Sequence, residues 1–353
     1  MFIAKVGIAQ PPHRYEQEQL VEALTWFWSK THHNTSRVRR FHESVQVGAR
    51  HLALSVPEYL ELKTFGDAND AFIRVGTDVG EQAVRAALDG TGLGPADVDA
   101  IYFVTVTGVA TPSIDARLVG RLGLRPDVKR VPIFGLGCVA GAAGIGRLND
   151  YLVGHPDEVA LLLSVELCSL TMQRGDFSVP NLIASGLFGD GAACAVGVGA
   201  RRAQAMGLDG GPRVLASKSS FYPGTERVMG WDIGADGFKI VLSATVPDIV
   251  RANIGRDVDG FLTEQGLTRA DIGVWVSHPG GPKVLQAFEE SLDLHDGELG
   301  VTWDSLRQVG NLSSASVLFV LQQTMANQPA PGSYGLMMAM GPGFCAELVL
   351  LRW

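Results

Sequence analysis

The sequence predicts an α/β fold built from two similar halves, in which two sheets pack around shared central helices. The main evidence is an internal repeat. Residues 94–108 and 269–281 each carry an Ala-Asp pair near their start, continue into a short apolar segment and end in glycine, and Asp97 and Asp271 stand 174 residues apart. The second observation is that the apolar segments are nearly continuous, which is typical of strands covered on both faces.

The elements around this repeat recur in the same order. An amphipathic helical stretch comes first, a glycine-rich turn then leads into a helix of small residues, and two apolar strands close each half. These segments are residues 79–93, 131–148, 159–167 and 191–199 in the first half, and 249–267, 308–323, 334–343 and 344–353 in the second. Any two βα units look alike, but four elements in one order at one offset make coincidence the weaker explanation.

We therefore predict an N-terminal half over residues 1–205 and a C-terminal half over residues 206–353. Residues 200–235, rich in Gly, Arg and Ser, are expected to form a connecting loop and edge strands. The glycine-rich turns that open the two small-residue helices fall at corresponding positions. We therefore expect the side chains on those turns to meet at the junction of the halves.

Composition sets the class of protein. Of the 353 residues, 46% are hydrophobic and 19% are charged, which is the balance of a soluble globular chain and excludes disorder as its main state. The formal charge of −8 argues against a general nucleic-acid binder, because phosphate binding needs a basic face. No run of 18 apolar residues occurs, and Lys5 and Pro11 interrupt the apolar N-terminus. We expect a cytoplasmic protein that spans no membrane.

Cys138 is the first candidate for chemistry. It lies in GLGCVAGAAGI, where glycines permit a tight turn and small residues allow a helix to pack closely. A thiol at a helix N-terminus has its pKa lowered by the helix dipole, so a nucleophile is one interpretation. The alternative is a small buried core residue, the commoner fate of a free cysteine. The other three cysteines lie in apolar strands, and the four show no CxxC or metal-ligand spacing, so we expect a reduced protein without metal.

His278 and Asn311 are the second and third candidates. His278 follows an apolar strand and precedes Pro-Gly-Gly, from which an imidazole can point into a cleft. Asn311 precedes the second small-residue helix, in the place that Cys138 takes in the first half. Each has a structural alternative, since a lone histidine is often a satisfied core residue and asparagine is a preferred N-cap. Together, a thiol, an imidazole and a carboxamide would form a nucleophile with a base and an amide donor.

These motifs resemble those of the type III polyketide synthases, the chalcone-synthase-like branch of the thiolase superfamily, over essentially the whole chain. The matching segments are GLGCVAGAAGI around Cys138, SVELCSLT at 164–171, LFGDGAA at 187–193, SHPGGPKVL at 277–285, GNLSSASV at 310–317 and MGPGF at 340–344. Ketoacyl-ACP synthase III is the nearest look-alike, with the same fold and the same Cys-His-Asn set. Its histidine usually stands in His-Gln-Ala-Asn, whereas this chain has His-Pro-Gly-Gly.

The resemblance implies a thiolase-like, layered αβαβα fold and a role for each candidate. Cys138 would accept a starter acyl group from coenzyme A, and His278 would form a thiolate–imidazolium pair with it. His278 and Asn311 would hold the malonyl-CoA thioester carbonyl and stabilise the enolate that forms on loss of CO2. The reaction would need no metal and no cofactor beyond the coenzyme A thioesters that serve as substrates, and a homodimer is expected.

The resemblance also assigns residues that bind the substrates. Phe188 matches a gatekeeping phenylalanine between the CoA tunnel and the acyl cavity, and Ile240 stands where plant enzymes carry a second aromatic gate. Losing that aromatic would widen the pocket. Cys168, Thr171 and the loop ending at Thr111 should line the cavity. Three arginines match basic positions of the CoA-phosphate region, although a solvated helix face explains each of them singly: Arg37, Arg40 and Arg50.

The implied function is iterative decarboxylative condensation of malonyl-CoA onto an acyl-CoA starter, followed by cyclisation to a pyrone or a resorcinol-type ring. Two alternatives are kept. A ketoacyl-ACP synthase III-like enzyme would use malonyl-ACP and present a basic docking patch for the carrier protein. A catalytically silent thiolase-fold partner subunit would have lost its nucleophile, which this chain keeps. The sequence leaves the starter, the number of extensions and the ring closure undetermined.

Overall fold

A computed structural model describes residues 1–30, 34–208 and 210–353. Its principal strands are β1 Phe2–Ala9, β2 His13–Glu16, β3 Ala49–Leu52, β4 Ala100–Thr105, β5 Lys129–Phe134, β6 Val159–Leu167, β7 Asp190–Val198, β8 Arg213–Phe221, β9 Met229–Gly234, β10 Gly237–Leu242, β11 Ile272–Ser277, β12 Tyr334–Gly341 and β13 Cys345–Arg352. Its α-helices are α1 Gln17–Ser29, α2 Ser36–Ser44, α3 Val56–Tyr59, α4 Phe65–Leu88, α5 Ile114–Leu122, α6 Ala140–Gly154, α7 Val179–Leu187, α8 Ala200–Met206, α9 Val246–Glu264, α10 Pro282–Leu292, α11 Gly300–Val309 and α12 Ser316–Ala326.

The main sheet has the order β11-β12-β13-β8-β1-β7-β6-β4-β5, which divides into two similar parts. Strands β1, β7, β6 and β4 of the first half correspond in order to β8, β13, β12 and β11 of the second. The two parts join at β1 and β8, which pair only at Phe2 and Arg213. The strand β6 and the strand β7 are buried along their whole length, as the continuous apolar runs predict. The predicted duplicated α/β fold is therefore confirmed, and the two expected sheets are joined through β1 and β8 into one nine-stranded sheet.

Helices α6 and α12 lie between the two half-sheets. Helix α6 contacts β6 and β4 on one side and β13 and β8 on the other, and α12 contacts β1 and β11. The sequence of α6 explains this close packing, because its first seven residues are AGAAGIG. A Cβ added at Gly141 would overlap the Ser314 carbonyl oxygen and lie 2.5 Å from Val317 Cγ1. Small residues in α6 thus let the two central helices approach one another.

The repeat predicted from sequence appears at the same offset in the structure. A 3-10 turn, Pro95–Asp97, precedes β4, and a second, Arg269–Asp271, precedes β11. The outer faces of the half-sheets are covered by α4 and α5 in the first half and by α9 and α10 in the second, as the hydrophobic clusters show. The same order of elements thus builds both halves.

The connection between the halves contains more structure than a loop. Residues 200–235 include helix α8, which the sequence did not predict, as well as β8 and β9. The expectation of edge strands is wrong for β8, which lies between β13 and β1 inside the main sheet. The proposed division after residue 205 falls at the end of α8 and remains a prediction. Strands β9 and β10 form a separate hairpin. No helix in the described ranges is long and apolar enough to cross a membrane.

Candidate active site

Cys138 lies on a 3-10 turn, Gly137–Val139, that leads directly into α6. Gly137 has a φ of +59°, and a Cβ there would come within 2.7 Å of the Pro342 ring, so glycine is required before the cysteine. Cys138 as a residue is 8% exposed, and its Sγ lies 3.8 Å from Ser313 Oγ. Sequence reasoning predicted this turn and its helix correctly.

The electrostatics of the thiol differ from the sequence expectation. Burial raises the pKa of Cys138 to about 12, the Ser313 hydroxyl opposes that shift, and the Glu166 carboxylate adds to it. The helix dipole argument predicted a lowered pKa, because sequence shows the helix N-terminus but not the loss of solvent around the thiol. A thiolate at this position therefore needs a cationic partner. The thiols of Cys168 and Cys194 also have raised pKa values because both are buried.

His278 follows the last residue of β11, and its backbone N–H donates to the Met338 carbonyl at 2.9 Å on β12. The residue is 2% exposed, and neither ring nitrogen has a hydrogen-bond partner among the described residues. Burial lowers the pKa of His278 to about 3, so the isolated imidazole is neutral. A buried neutral imidazole with both nitrogens free can accept one proton and donate another.

Asn311 lies on the segment between α11 and α12, opposite Phe188, with which it forms a parallel bridge. Its side-chain Oδ1 accepts the Ser313 backbone N–H at 2.8 Å, which closes an Asx turn. Asn311 is not the N-cap weighed at the sequence level, since Leu312 caps the 3-10 turn and Ala315 caps α12. The bond from Ser313 occupies the carboxamide oxygen and leaves the amide Nδ2 as the donor end. The residue is 2% exposed.

The two turns that open the central helices contact each other. The Gly137–Val139 turn packs against the turn at Ser313–Ala315 and against β12. At the end of β12, a Cβ added to Gly341 would lie 3.3 Å from Cys138 Cβ. Ser277 at the end of the neighbouring β11 pairs with Met338 of β12. The thiol, the histidine and the asparagine segment therefore lie on elements that meet at one end of the C-terminal half-sheet.

Glu166 is a buried residue of this region that sequence reasoning missed. The fully buried carboxylate accepts hydrogen bonds from the Val106 N–H at 3.1 Å, from Thr107 Oγ1 at 2.8 Å and from the Ser314 hydroxyl. Burial raises its pKa and these bonds oppose the shift. The only sequence signal for Glu166 was that a charged residue stands in an otherwise apolar strand. It anchors the Ser313–Ala315 turn to the first half of the molecule.

A cavity with about 1050 Å³ of empty space, its mouth included, adjoins this region. Four residues assigned to the cavity by resemblance line it, namely Cys168, Thr171, Phe188 and Ile240. Helix α1 supplies an apolar side, to which Leu20, Ala23, Leu24 and Phe27 contribute. Trp231 also lines the cavity and was missed, because a tryptophan in a connecting segment carries no signal in the sequence alone.

Thr111 does not lie in this cavity, which corrects the sequence assignment. It is exposed and lines a separate depression together with Phe72, Phe103 and Phe134. Its loop begins at the end of β4, and Gly108 within it packs against the Phe72 ring of α4. Thr105, at the other end of that loop, is buried and lies within hydrogen-bond distance of Glu166 Oε2, at 3.3 Å.

The three arginines assigned to CoA separate into two groups. Arg37 and Arg40 lie on α2 and stack near the Phe41 ring, at 5.8 and 5.1 Å from its centroid. Arg50 is 3% exposed, and its guanidinium donates to the Phe188 carbonyl at 2.7 Å and to Gln17 Oε1 at 3.0 Å. The sequence assignment of Arg50 to a phosphate contact is therefore wrong, because its side chain points inward and its donors are engaged. In the described ranges, no group of three or more His, Cys, Asp or Glu side chains could hold a metal ion.

Comparisons with known proteins match this chain to a described family. The family model of chalcone and stilbene synthases matches the chain in two parts, its N-terminal domain over residues 1–202 and its C-terminal domain over residues 213–353. A 1,3,6,8-tetrahydroxynaphthalene synthase of Streptomyces peucetius subsp. caesius is 52% identical over 352 residues, which cover 99% of this chain and 93% of the relative. A 3,5-dihydroxyphenylacetyl-CoA synthase of Amycolatopsis orientalis is 35% identical over 82% of this chain and 77% of the relative.

A solved structure gives the same result for the fold. The 1,3,6,8-tetrahydroxynaphthalene synthase of Streptomyces coelicolor A3(2), a bacterial type III polyketide synthase, superposes with a TM-score of 0.92 at 29% identity. The superposition covers 100% of this chain and 99% of that one. The similarity therefore extends over both halves and over the junction between them.

Proposed function

Because this chain belongs to the chalcone and stilbene synthases, the type III polyketide synthases that condense malonyl-CoA, we propose that Cys138, His278 and Asn311 catalyse the condensation. The observation that carries this proposal is the contact between the turns that open α6 and α12. One turn bears the Cys138 thiol, 3.8 Å from Ser313 Oγ, and the other begins two residues after Asn311. The contact between these two equivalent turns supports a site in which the Cys138 thiol and the Asn311 carboxamide act together.

Loading of the starter comes first. Cys138 Sγ attacks the acyl-CoA thioester carbonyl, its proton passes to His278, and coenzyme A leaves as the thiol. Burial alone favours the neutral forms of both groups. Proton transfer creates opposite charges in one water-poor site, and their attraction offsets the two desolvation costs. The Cys138 thiol is therefore activated by forming an ion pair with His278, and not by the helix dipole alone.

Extension follows on the acylated enzyme. The bond between the malonyl α-carbon and its carboxylate breaks, CO2 leaves, and the electron pair forms an enolate on the thioester. His278 and the Asn311 Nδ2 donate to the enolate oxygen. The enolate carbon attacks the Cys138 thioester carbonyl, and the Cys138 sulfur leaves with its electrons. The product is a β-ketoacyl-CoA longer by two carbons, which reloads Cys138 for the next cycle.

We further propose that the starter is a medium or long acyl-CoA and that the product is a pyrone or a resorcinol-type ring. The apolar side of the cavity supports this, because Leu20, Ala23, Leu24 and Phe27 recur along one face of α1 and offer a surface for a hydrocarbon chain. Phe188, on the side of the cavity that adjoins Asn311, would separate this chain from the coenzyme A side.

A second candidate is synthesis of a naphthalene ring from malonyl-CoA alone. It is favoured by the relative that is 52% identical over 99% of this chain and is named a 1,3,6,8-tetrahydroxynaphthalene synthase. Such an enzyme needs no apolar starter. The two candidates therefore differ in whether the apolar cavity is filled by a starter chain.

Incubation with malonyl-CoA alone, and then with acetyl-, hexanoyl- and lauroyl-CoA added, separates the candidates by the masses of the products. Products that carry the added acyl chain support the first candidate, and a single pentaketide product whatever acyl-CoA is present supports the second. The Cys138→Ala variant should form neither. Cys345→Ala is the matched control, since this half-buried thiol lies on β13, and its product yield should stay near that of the unmodified enzyme.

The remaining assignments complete the proposal. Coenzyme A phosphates would bind near Arg37 and Arg40 on α2, and no resident cofactor is proposed. We also propose that the protein is cytoplasmic and forms a homodimer. The dimer is supported by the edge strand β5, on which the apolar Phe134 side chain is 48% exposed. Activity with malonyl-ACP in place of malonyl-CoA would favour the ketoacyl-ACP synthase III-like alternative. An unmodified protein that releases no CO2 from malonyl-CoA would favour a silent subunit.

A further inference from the structure

Arg50 connects three parts of the chain beside the cavity. It lies on β3, and its Nη1 donates to the Phe188 carbonyl at 2.7 Å while its Nε donates to Gln17 Oε1 at 3.0 Å. Gln17 is the first residue of α1, and its Nε2 in turn donates to the Gly186 carbonyl at 2.8 Å. Arg50 and Gln17 thus fix, by two hydrogen bonds, the backbone that runs from the end of α7 into Phe188.

The segment held by Arg50 also holds Asn311. The Asn311 N–H donates to the Leu187 carbonyl at 2.9 Å, and the Gly189 N–H donates to the Asn311 carbonyl at 3.0 Å. Leu187–Gly189 therefore lies between the guanidinium on one side and the backbone of Asn311 on the other. A displacement of this segment would move Phe188 and Asn311 together.

Close packing leaves this arrangement little freedom. A Cβ added at Gly310, which has a φ of +74°, would lie 2.6 Å from the Leu187 carbonyl oxygen and 3.2 Å from Arg50 Cδ. A Cβ at Gly189 would overlap the Val309 carbonyl oxygen. The aliphatic part of the Arg50 side chain thus fills the space beside Gly310, next to the Phe188–Asn311 bridge. Its guanidinium donates to the Phe188 carbonyl.

The charge of Arg50 is balanced inside the protein. Burial lowers the pKa of Arg50 to about 10, and the Asp190 carboxylate opposes that shift. Asp190 is itself held by the Ser169 and Ala53 backbone N–H groups, at 2.8 and 2.5 Å. The guanidinium is therefore cationic at neutral pH and needs no ligand phosphate to compensate it. Buried charges in proteins are ordinarily compensated by a partner, and Asp190 supplies that partner here.

We propose that Arg50 is a positioning residue for decarboxylation and condensation. Through the Phe188 carbonyl it fixes Leu187–Gly189, and through that segment it fixes the backbone of Asn311. The inference rests on the proposed role of Asn311 at the enolate. Arg50 would then help to position Asn311 although its own side chain touches no reacting atom. It would not belong to the residues that bind coenzyme A.

The test compares Arg50→Gln and Arg50→Lys with the unmodified enzyme on two substrates. Malonyl-CoA carries the nucleotide phosphates, and malonyl-N-acetylcysteamine thioester lacks them. We expect Arg50→Gln to lower kcat for CO2 release about tenfold or more with both thioesters alike, because misplacement of a positioned donor costs rate whichever thiol carries the malonyl group. Acylation of Cys138, followed by intact mass, should fall much less. Arg50→Lys keeps the charge and one donor, and should recover part of the rate.

Arg40→Gln on α2 is the matched control, since a phosphate contact would raise KM for malonyl-CoA and leave the truncated thioester unaffected. If Arg50→Gln behaves in this way, or if both Arg50 variants keep the kcat of the unmodified enzyme, the inference is overturned. If Arg50→Gln does not fold, as judged by thermal unfolding, Arg50→Lys decides between these outcomes. Failure of the proposed function would appear separately, as absence of CO2 release by the unmodified enzyme.

Discussion

Ile240 and Trp231 face each other as cross-strand partners on the β9–β10 hairpin, and both side chains line the cavity. Sequence comparison drew attention to Ile240 alone, where plant relatives carry an aromatic gate. The structure shows an aromatic ring on the neighbouring strand at the same level. Cavity width at this point is therefore set by the pair, and a substitution at either position changes the same space.

The first prediction concerns starter length. Trp231→Ala should raise kcat/KM for lauroyl-CoA relative to acetyl-CoA, and Ile240→Phe should lower it, since each methylene that fits or clashes is worth about 1–3 kcal/mol. The measurement is kcat/KM for acetyl-, hexanoyl- and lauroyl-CoA in each variant. Ile233→Ala is the control, because Ile233 lies on the same strand but is 58% exposed. An unchanged ranking in both cavity variants would show that the hairpin does not contact the starter.

The second prediction concerns activation of the thiol. If proton transfer to His278 activates Cys138, His278→Ala should move the midpoint of Cys138 alkylation to higher pH. The reason is that burial, together with the Glu166 carboxylate, raises the thiol pKa to about 12, and the variant loses the cation that would oppose this shift. Iodoacetamide labelling of each cysteine, followed by peptide mass against pH, gives the midpoint. Identical midpoints in the two proteins would rule out the ion pair.

The third prediction separates loading from decarboxylation. Asn311→Ala should lower CO2 release from malonyl-CoA by about 10²–10³, the usual cost of losing one oxyanion donor, and should affect acylation of Cys138 much less. His278→Ala should impair both steps, since the imidazole is assigned to both. Acyl-enzyme mass and CO2 release are measured on the same preparations. An Asn311 variant that decarboxylates malonyl-CoA normally but cannot be acylated would reverse the assigned roles.

The fourth prediction concerns stability in acid. His42 is 1% exposed, and burial lowers its pKa to about 3, as it does for His278. The unfolded chain binds these protons near pH 6.5 and the folded chain does not, so the free energy of unfolding should fall as pH drops from 6.5 towards 3. The slope is at most about 1.4 kcal/mol per pH unit for each residue.

Urea unfolding at several pH values tests this, with His42→Gln expected to reduce the slope. The unmodified protein, unfolded under the same conditions, is the reference. The Asp190 carboxyl acts in the opposite sense, since burial raises its pKa to about 6 and the folded state then gains stability as this group is protonated. An equal slope in the His42 variant would show that His42 is protonated within the fold.

The fifth prediction concerns the contact between the central helices. Gly141→Ala should lower the free energy of unfolding by about 1–3 kcal/mol or more, because its Cβ has no room beside Ser314 and Val317. Gly120→Ala on α5 is the matched control, since a Cβ there meets nothing within 4 Å. That substitution should raise the free energy of unfolding by about 0.4–1 kcal/mol. Equal effects of the two substitutions would mean that the central helices can move apart at little cost.

The sequence by itself determined the features that depend on local pattern. The repeat around Asp97 and Asp271, the apolar strands and the glycine turn before Cys138 can all be predicted from neighbouring residues, because backbone conformation and burial leave periodic traces. The order of elements and the residue types at Cys138, His278 and Asn311 belong to this class. So does the family, whose motifs are short and contiguous.

Only the tertiary structure decided the features that depend on contacts between distant parts of the chain. Arg50 faces inward against Phe188, Thr111 lies outside the cavity, and Trp231 stands opposite Ile240. The sequence around Arg50 does not show whether its guanidinium is hydrated or donates to a carbonyl 138 residues away. The raised pKa of Cys138 has the same origin, because desolvation is summed over every element packed around the thiol and no single segment of the sequence encodes it.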